Sequence, residues 1–131
     1  MTERGKNSSG NDLEKIAESY HLKDEWGDKY LDDLFQDYFF SWVQNNLKNS
    51  KKILEMGFGQ GNITRMLCES DFRFDIVEGS HVLCEEARAR FGSQIKCYES
   101  FFETFEPSQK YDTVLSTFIL EHVEDPLIVL K

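Results

Sequence analysis

Apolar side chains recur at helical spacing in the first third of the chain. They hold the i, i+3, i+4 and i+7 positions of one stretch: Leu31, Leu34, Phe35, Tyr38, Phe39, Trp42 and Val43. This spacing predicts an amphipathic helix whose apolar face is rich in aromatic rings. The residues predicted to end that helix are Asn45, Asn46, Asn49 and Ser50.

A second helical pattern comes before it. Its apolar side chains are Leu13, Ile16, Ala17 and Tyr20. Asn11 and Glu14 have the spacing of a capping box, in which the glutamate returns to the start of its own helix. Residues 1–10 are polar and rich in glycine and serine, so they are predicted to be a disordered leader. Residues 11–50 then form a helical N-terminal region.

From residue 51 the pattern changes to short apolar runs that alternate with helical segments. Strands are predicted at residues 53–54, 72–79, 95–98 and 111–117. Helices are predicted around residues 63–67 and at residues 80–91, the second capped by Ser80. Strands that alternate with helices of about ten residues indicate right-handed crossovers and a parallel sheet with helices on both faces. The predicted fold class is therefore α/β, with a doubly wound sheet over residues 51–131.

Three glycines follow the first predicted strand in the stretch ILEMGFGQG: Gly57, Gly59 and Gly61. They fall where a strand ends and a helix begins, at the edge of a parallel sheet where ligands bind. Glycine lets the backbone turn sharply and approach a ligand closely, and the helix start presents free N–H groups. This pattern predicts a loop that cradles a nucleotide-like ligand.

The spacing of the glycines narrows the ligand class. A dinucleotide site has G-x-G-x-x-G, whereas this loop has G-x-G-x-G behind an acidic residue, Glu55. A carboxylate there repels a pyrophosphate and suits an ammonium group. Glu78 ends the second strand, where a carboxylate can accept hydrogen bonds from a ribose diol. S-adenosylmethionine carries a ribose and an amine and has no phosphate, so it fits both carboxylates.

Charge and cysteine content exclude several other classes. With 24 acidic and 15 basic residues the net charge is −9, which disfavours a nucleic-acid partner. The sequence has no membrane-length apolar run and no signal-peptide core, so a cytoplasmic protein without a membrane partner is expected. Cys68, Cys84 and Cys97 are widely spaced among apolar neighbours. We expect reduced, buried thiols and no metal site.

Three motifs in order resemble one family. ILEMGFGQG resembles the first motif, (D/E)-x-G-x-G-x-G, of class I S-adenosylmethionine-dependent methyltransferases, and IVEGS resembles their second motif. YDTVLSTFILEHVEDP resembles the fourth-strand segment of the subgroup around the ubiquinone and menaquinone biosynthesis methyltransferases. The resemblance covers the chain from about Lys51 to its end. It implies a Rossmann-like fold with N-terminal cap helices, and S-adenosyl-L-methionine as cofactor with S-adenosyl-L-homocysteine as product.

The resemblance also implies roles for single residues. Glu55 and the backbone of the three glycines would face the methionine part of the cofactor. Glu78 would hold the ribose hydroxyls, with Gly79 and Ser80 beside it. Phe101 and Phe102 would offer apolar walls for the adenine. Thr117 and Phe118 would line the space between the methyl donor and its acceptor.

One histidine lies in a suggestive position. His122 follows the fourth predicted strand, where it could act as a general base or contact the acceptor. A structural hydrogen bond near a helix start is the interpretation we favour. His21 and His81 have polar neighbours and are expected at the surface. Asp125 and Pro126 have the residue types of a helix cap and a first helical position.

The chain ends soon after the helix that Pro126 is predicted to open, whereas the family's sheet continues beyond its fourth strand. We therefore expect a fragment, or an open strand edge that a second copy or another chain completes. The predicted function is methyl transfer to a small-molecule acceptor with an oxygen or nitrogen nucleophile. The alternatives are a non-catalytic cofactor-binding module and an NAD-dependent or nucleotide-sugar Rossmann enzyme, the second disfavoured by the glycine spacing.

Overall fold

The structure is a computed structural model that describes residues 13–15, 17–18, 29–117 and 119–131. The predicted leader, the Asn11 cap, Ile16, Tyr20, His21 and Phe118 lie outside these residues. Residues 13–15 and 17–18 are helical. The longer helices are α1 (Lys29–Leu47), α2 (Asn62–Glu69) and α3 (His81–Phe91), and a short α4 spans Pro126–Val129. The strands are β1 (Ile53–Met56), β2 (Phe74–Glu78), β3 (Lys96–Glu99) and β4 (Thr113–Ser116).

The four strands form one parallel sheet in the order β3-β2-β1-β4. In register, Met56 of β1 lies beside Val77 of β2 and Ser116 of β4. The first strand, β1, lies inside the sheet, and β2 and β3 follow on one side of it. The chain then crosses over, so that β4 pairs with the other side of β1. This reversal is the switch point at which open α/β sheets bind ligands beyond the carboxyl ends of their strands. The predicted α/β, Rossmann-like fold class is confirmed.

The two faces of the sheet have separate apolar clusters. On one face, side chains of all four strands pack against α1, α2 and α3: Val43, Leu47, Ile53, Met66, Leu67, Phe74, Ile76, Leu83, Cys84, Ala87, Cys97 and Leu115. On the other face, Leu54, Met56 and Val77 pack against Phe102, Phe105, Tyr111 and Val129. The three longer helices therefore cover one face. A single-turn 3₁₀ helix at Phe102–Thr104 and the short α4 contribute to the cover of the other.

The predicted aromatic helix forms, but most of its apolar face is not buried. Val43 and Leu47 are buried, while Tyr38 is 74% exposed and Leu34, Phe35 and Trp42 are also exposed. The rings stack on one another instead, with Phe39 between Phe35 and Trp42 at centroid distances of 5.8 and 5.6 Å. The helical period was readable from the sequence, but the partner of the face was not.

Two of the predicted helix caps are present. The Ser80 hydroxyl accepts a hydrogen bond from the backbone N–H of Leu83, and the Asp125 carboxylate accepts one from that of Leu127, with Pro126 opening α4. The capping box predicted for Asn11 and Glu14 stays a prediction, because Asn11 lies outside the described residues. Glu14 also makes contacts beyond its own helix. Its carboxylate accepts from the Ser80 hydroxyl and the His81 backbone N–H, and so caps α3.

No disulfide joins the three cysteines, all of which lie in the described residues. Cys84 and Cys97 are buried, as predicted, whereas the prediction of burial is wrong for Cys68, which is half-buried near the end of α2. Among the helices in the described ranges, none is both long enough and apolar enough to span a membrane.

Candidate functional site

The glycine loop, residues 57–61, joins the end of β1 to the start of α2. The Gly57 N–H donates to the Val77 carbonyl at 2.8 Å, which extends the sheet pairing one residue past β1. The Gly61 N–H then donates to the Phe58 carbonyl at 2.9 Å and closes a turn. Phe58 anchors the loop because its ring is 3% exposed and meets the edge of Phe91 at 6.1 Å. The loop is therefore fixed at both ends and in its middle.

The three glycines of this loop have different surroundings. A side chain at Gly57 would collide with Ile119, and one at Gly61 would lie 2.7 Å from the Phe58 ring. At Gly59 the backbone is left-handed, with φ +53°, and no heavy atom lies within 4 Å of the position that a side chain would occupy. Gly57 and Gly61 are also left-handed, with φ of +82° and +78°, so their backbone conformation favours glycine and the packing contacts restrict them further. Gly59 leaves open space above the loop, which a ligand can use.

Glu78 ends β2 beside this loop and is 7% exposed. Its two carboxylate oxygens accept one backbone N–H each, from Phe58 and from Ser80, both at 2.8 Å. Burial raises the pKa of Glu78, while the backbone hydrogen bonds of Ser80, Phe58 and Gly79 act in the opposite direction. Each carboxylate oxygen has two lone pairs. The side chain can therefore accept further hydrogen bonds from a ligand without giving up its backbone donors.

Glu55 lies one strand away and is 2% exposed. One of its oxygens accepts the Thr64 hydroxyl of α2 at 2.8 Å. Burial raises the pKa of Glu55 to about 8, against the lowering effect of the Thr64 hydrogen bond. The carboxyl group is therefore largely protonated at neutral pH in the ligand-free protein. Its expected role opposite the methionine ammonium stays a prediction.

Glu14, from the N-terminal region, places a further acidic group beside Glu78. The Glu14 carboxylate bonds to Ser80 and His81 beside Glu78, and Leu13 reaches within 3.1 Å of the side-chain position at Gly79. At the end of β3, Glu99 lies 2.9 Å from the His81 ring. The hydrogen bond to Glu99 and its charge raise the pKa of His81. His81 is exposed, as predicted.

The remaining predicted residues lie around the loop at different distances. Phe101 is 3.5 Å from the side-chain position at Gly79, and Phe102 is 3.7 Å from that at Gly57. Thr117 follows directly after β4 and is half-buried. His122 is exposed; its backbone N–H donates to the Ile119 carbonyl, and its ring faces Glu121 at 4.0 Å. The structure thus brings the two phenylalanines to the glycine residues and leaves His122 at the surface.

Sequence reasoning missed two side chains at this site. Thr64 holds Glu55, and Arg90 of α3 donates to the Gln60 carbonyl at 2.8 Å. No spacing in the sequence points to Arg90, because 30 residues separate it from Gln60. Thr64 has a weak signal, since it is an uncharged polar residue between the apolar Ile63 and Met66.

A cavity of about 720 Å³ lies at the opposite, amino edge of the sheet. Its polar lining includes Asp75, Gln109 and Tyr111. These groups bond to each other: Tyr111 and Gln109 both donate to Asp75, at 2.6 and 2.9 Å. Among the residues that the structure describes, no cluster of histidine, cysteine and carboxylate side chains is arranged to hold a metal ion.

Comparison with protein families assigns the chain to one family. Residues 53–130 match the model of a methyltransferase domain. The chain belongs to this methyltransferase family. The family resemblance inferred from the three motifs is thereby confirmed, whereas the ubiquinone and menaquinone subgroup stays a prediction.

Curated relatives of this methyltransferase domain are bacterial. An uncharacterized methyltransferase of Geobacillus thermodenitrificans (strain NG80-2) is 30% identical over 116 residues, covering 86% of this chain and 53% of the relative. One from Geobacillus sp. (strain WCH70) is 28% identical over 115 residues, covering 79% of this chain and 54% of the relative. The chain thus spans about half the length of the curated relatives it matches.

Solved structures share the fold at low sequence identity. The plantazolicin methyltransferase BpumL in complex with SAH has a TM-score of 0.66 at 20% identity, covering 94% of this chain and 48% of that one. A putative S-adenosyl-L-methionine-dependent methyltransferase of Methanococcus maripaludis has a TM-score of 0.68 at 17% identity, covering 99% and 59%. The N-terminal domain of EvdMO1 with SAH bound has a TM-score of 0.67 at 18% identity, covering 89% and 58%.

Proposed function

We propose that this chain binds S-adenosyl-L-methionine at the carboxyl edge of its sheet, and that the protein transfers the methyl group to a small-molecule acceptor. The acceptor atom in this proposal is an oxygen or a nitrogen. Family membership supports methyl transfer. Two structural neighbours, the plantazolicin methyltransferase and the EvdMO1 domain, hold SAH, which supports this cofactor pair.

One observation carries the cofactor proposal: an open glycine lies beside a buried carboxylate that has spare acceptor capacity. Gly59 leaves a cradle free of side-chain atoms. Glu78, held through the Phe58 N–H of the same loop, carries two acceptor oxygens at its edge. A ribose diol donates two hydrogen bonds, and an amino-acid moiety needs close backbone approach. The cradle and the carboxylate supply these two features next to each other.

In this proposal each residue has a defined task. Glu78 accepts hydrogen bonds from the ribose hydroxyls, and Ser80 keeps its backbone N–H on Glu78 while its side chain caps α3. The loop backbone at Gly59 faces the methionine part. Phe101 and Phe102 form apolar walls, and Thr117 borders the space toward the acceptor. Glu55 supports the methionine ammonium, and that role requires the Glu55 carboxyl group to lose its proton when the cofactor binds.

The cofactor supplies an activated methyl group on a sulfonium, so the protein has to align the reactants and exclude water. Ile119 contributes to exclusion because it covers Gly57. A general base is needed only where the acceptor must lose a proton, and His122 is the residue we propose to test for that task. A non-catalytic binding module is the second candidate, and membership in a methyltransferase family does not favour it.

The free edge of β4 is where we propose that a further strand pairs. In the described part of the chain β4 pairs with β1, and Val114 on β4 is 53% exposed. An unpaired strand edge recruits other strands. A second copy of this chain, or another chain, is the partner that this proposal expects.

The cofactor proposal is tested by two glycine substitutions. Gly59 and Gly92 both have positive φ, +53° and +54°, and neither has a heavy atom within 4 Å of its side-chain position. Alanine strains the backbone at both positions, by about 1 kcal/mol or more. Gly92 also has a ψ of −127°, outside the left-handed helical region, so Gly92→Ala is the more demanding control for backbone strain. Only Gly59 lies in the proposed cradle, because Gly92 ends α3.

We expect Gly59→Ala to weaken SAH binding at least about tenfold in calorimetry, or about 1.4 kcal/mol. Gly92→Ala should leave the affinity within about twofold of wild type. Equal affinities for both variants would contradict the proposed location. Absence of SAH binding to the wild-type chain would contradict the cofactor itself.

A further inference from the structure

Arg90 lies on the last turn of α3 and reaches the glycine loop through a hydrogen bond and a cation–π contact. One guanidinium nitrogen donates to the Gln60 carbonyl at 2.8 Å. The same nitrogen bonds to Glu86 at 3.0 Å, which fixes the side chain along its own helix. The guanidinium carbon lies 5.5 Å from the ring centre of Phe58 and 5.2 Å from that of Phe91, within cation–π range.

These contacts act on the part of the loop that holds Glu78. Phe58 is the residue whose backbone N–H donates to the Glu78 carboxylate, and its carbonyl accepts from Gly61. Gln60 is the residue directly after Gly59. A single side chain therefore restrains the residues on both sides of the open glycine, one through its ring and one through its carbonyl.

The position of Arg90 adds a packing constraint at Gly61. A side chain at Gly61 would lie 2.8 Å from the Arg90 guanidinium nitrogen, in addition to its clash with the Phe58 ring. The backbone at Gly61 is also left-handed, with φ +78°, so glycine is favoured there on both grounds. The third glycine of the motif thus makes room for a side chain of the protein, whereas Gly59 makes room for a ligand.

We infer that Arg90 is a positioning residue, which holds the glycine loop in the conformation that binds the methionine part of the cofactor. The inference rests on the proposed function for its ligand. A binding loop that is already ordered loses less conformational entropy when its ligand arrives, and so binds more tightly. Removing Arg90 should loosen the loop before the ligand binds and reduce affinity without removing a ligand contact.

Arg88 is a matched control on the same helix. It also forms one ion pair within the helix, with Glu85 at 2.7 Å, and one bond to a distant backbone carbonyl, that of Cys97 at 3.0 Å. The carbonyl that it reaches belongs to β3 and not to the loop. A general effect of losing an arginine from α3 should therefore be similar in Arg88→Ala and Arg90→Ala.

The first measurement is amide hydrogen exchange in the absence of ligand. We expect exchange at the Phe58 and Gly61 amides to accelerate about tenfold in Arg90→Ala and to stay within about twofold in Arg88→Ala. Arg90→Lys, which keeps the charge and a donor but loses the planar face, should give an intermediate rate. Equal rates in the alanine variants would overturn the inference.

The second measurement is calorimetric affinity for SAH and for adenosine, which lacks the methionine part. We expect Arg90→Ala to weaken SAH about tenfold and adenosine about threefold or less, with Arg88→Ala near wild type. Equal loss for the two ligands would overturn the role toward the methionine part. If the wild-type chain binds no SAH, the proposed function fails, and hydrogen exchange still decides whether Arg90 orders the loop.

Discussion

The two edges of this parallel sheet carry similar carboxylates in different settings. At the carboxyl edge, Glu78 is buried, and each of its two oxygens accepts a hydrogen bond from one backbone N–H. At the amino edge, Asp75 is half-buried and accepts side chains of the same edge, Tyr111 and Gln109, on one oxygen. Burial and the Asp75 contact raise the pKa of Tyr111, so its hydroxyl stays protonated and keeps donating.

This difference between the two edges shows that the volume of a cavity does not by itself indicate a ligand site. The amino edge has the 720 Å³ cavity, but three of its polar side chains, Asp75, Gln109 and Tyr111, bond to one another. The carboxyl edge has the open Gly59, the starts of two helices and two buried carboxyl groups, Glu55 and Glu78. Both carboxyl groups lie beside the glycine loop. In a parallel α/β fold the second combination is the one that recognises a ligand.

The largest effect that this comparison predicts is a pH dependence that originates at Glu55. Its pKa is about 8 in the folded chain, against 4.5 for an exposed glutamate. Between these values folding takes up a proton, so the free energy of unfolding should fall as pH rises from about 5 to 8. The slope is about 1.4 kcal/mol per pH unit, and above pH 8 the full penalty is present.

Denaturant unfolding at several pH values measures this slope. Glu55→Gln should lack the part of this slope that comes from Glu55. The free energy of unfolding of the variant should therefore rise relative to that of wild type as pH rises toward 8. Glu124→Gln, a change at an exposed carboxylate, should keep the wild-type slope. Parallel pH profiles for wild type and Glu55→Gln would show that Glu55 does not take up a proton on folding.

The next effect concerns the two carboxylates directly. Hydrogen bonds to a charged group contribute about 1.5–3 kcal/mol, so Glu78→Gln should weaken SAH binding by about 10-fold to 100-fold. Asp75→Asn removes a carboxylate with two donors at the other edge and should leave SAH affinity within about twofold. Equal losses of SAH affinity in the two variants would contradict binding at the carboxyl edge. A cofactor analogue without the ribose hydroxyls should bind wild type and Glu78→Gln with the same affinity.

Local patterns along the sequence predicted much of the fold and where the candidate site residues lie in it. The glycine spacing and the acidic strand end depend on neighbours in sequence, and both Gly59 and Glu78 lie at the predicted edge. Strand positions were close because apolar runs and turn residues are local signals. The bounds of β3 moved by one residue, from the predicted 95–98 to Lys96–Glu99. Ser80 was readable as a cap for the same local reason.

Contacts between distant segments were not readable. Local spacing predicted a capping role for Glu14 in its own helix. It did not indicate that the Glu14 carboxylate also bonds to Ser80, 66 residues away. Arg90 and Thr64 reach the site through packing of helices onto the sheet, which no single period encodes. The aromatic residues of α1 show the same limit, because amphipathic spacing indicates a face and not the partner that covers it.

Mapping of backbone amide shifts during a titration with SAH tests the central claim most directly. Binding at the carboxyl edge should shift the Phe58, Gly59 and Ser80 amides, while Phe72 and Arg73 in the amino-edge cavity keep their ligand-free positions. Shifts at Phe72 and Arg73 with an unchanged glycine loop would contradict the account. So would a spectrum that does not respond to SAH at saturating concentration.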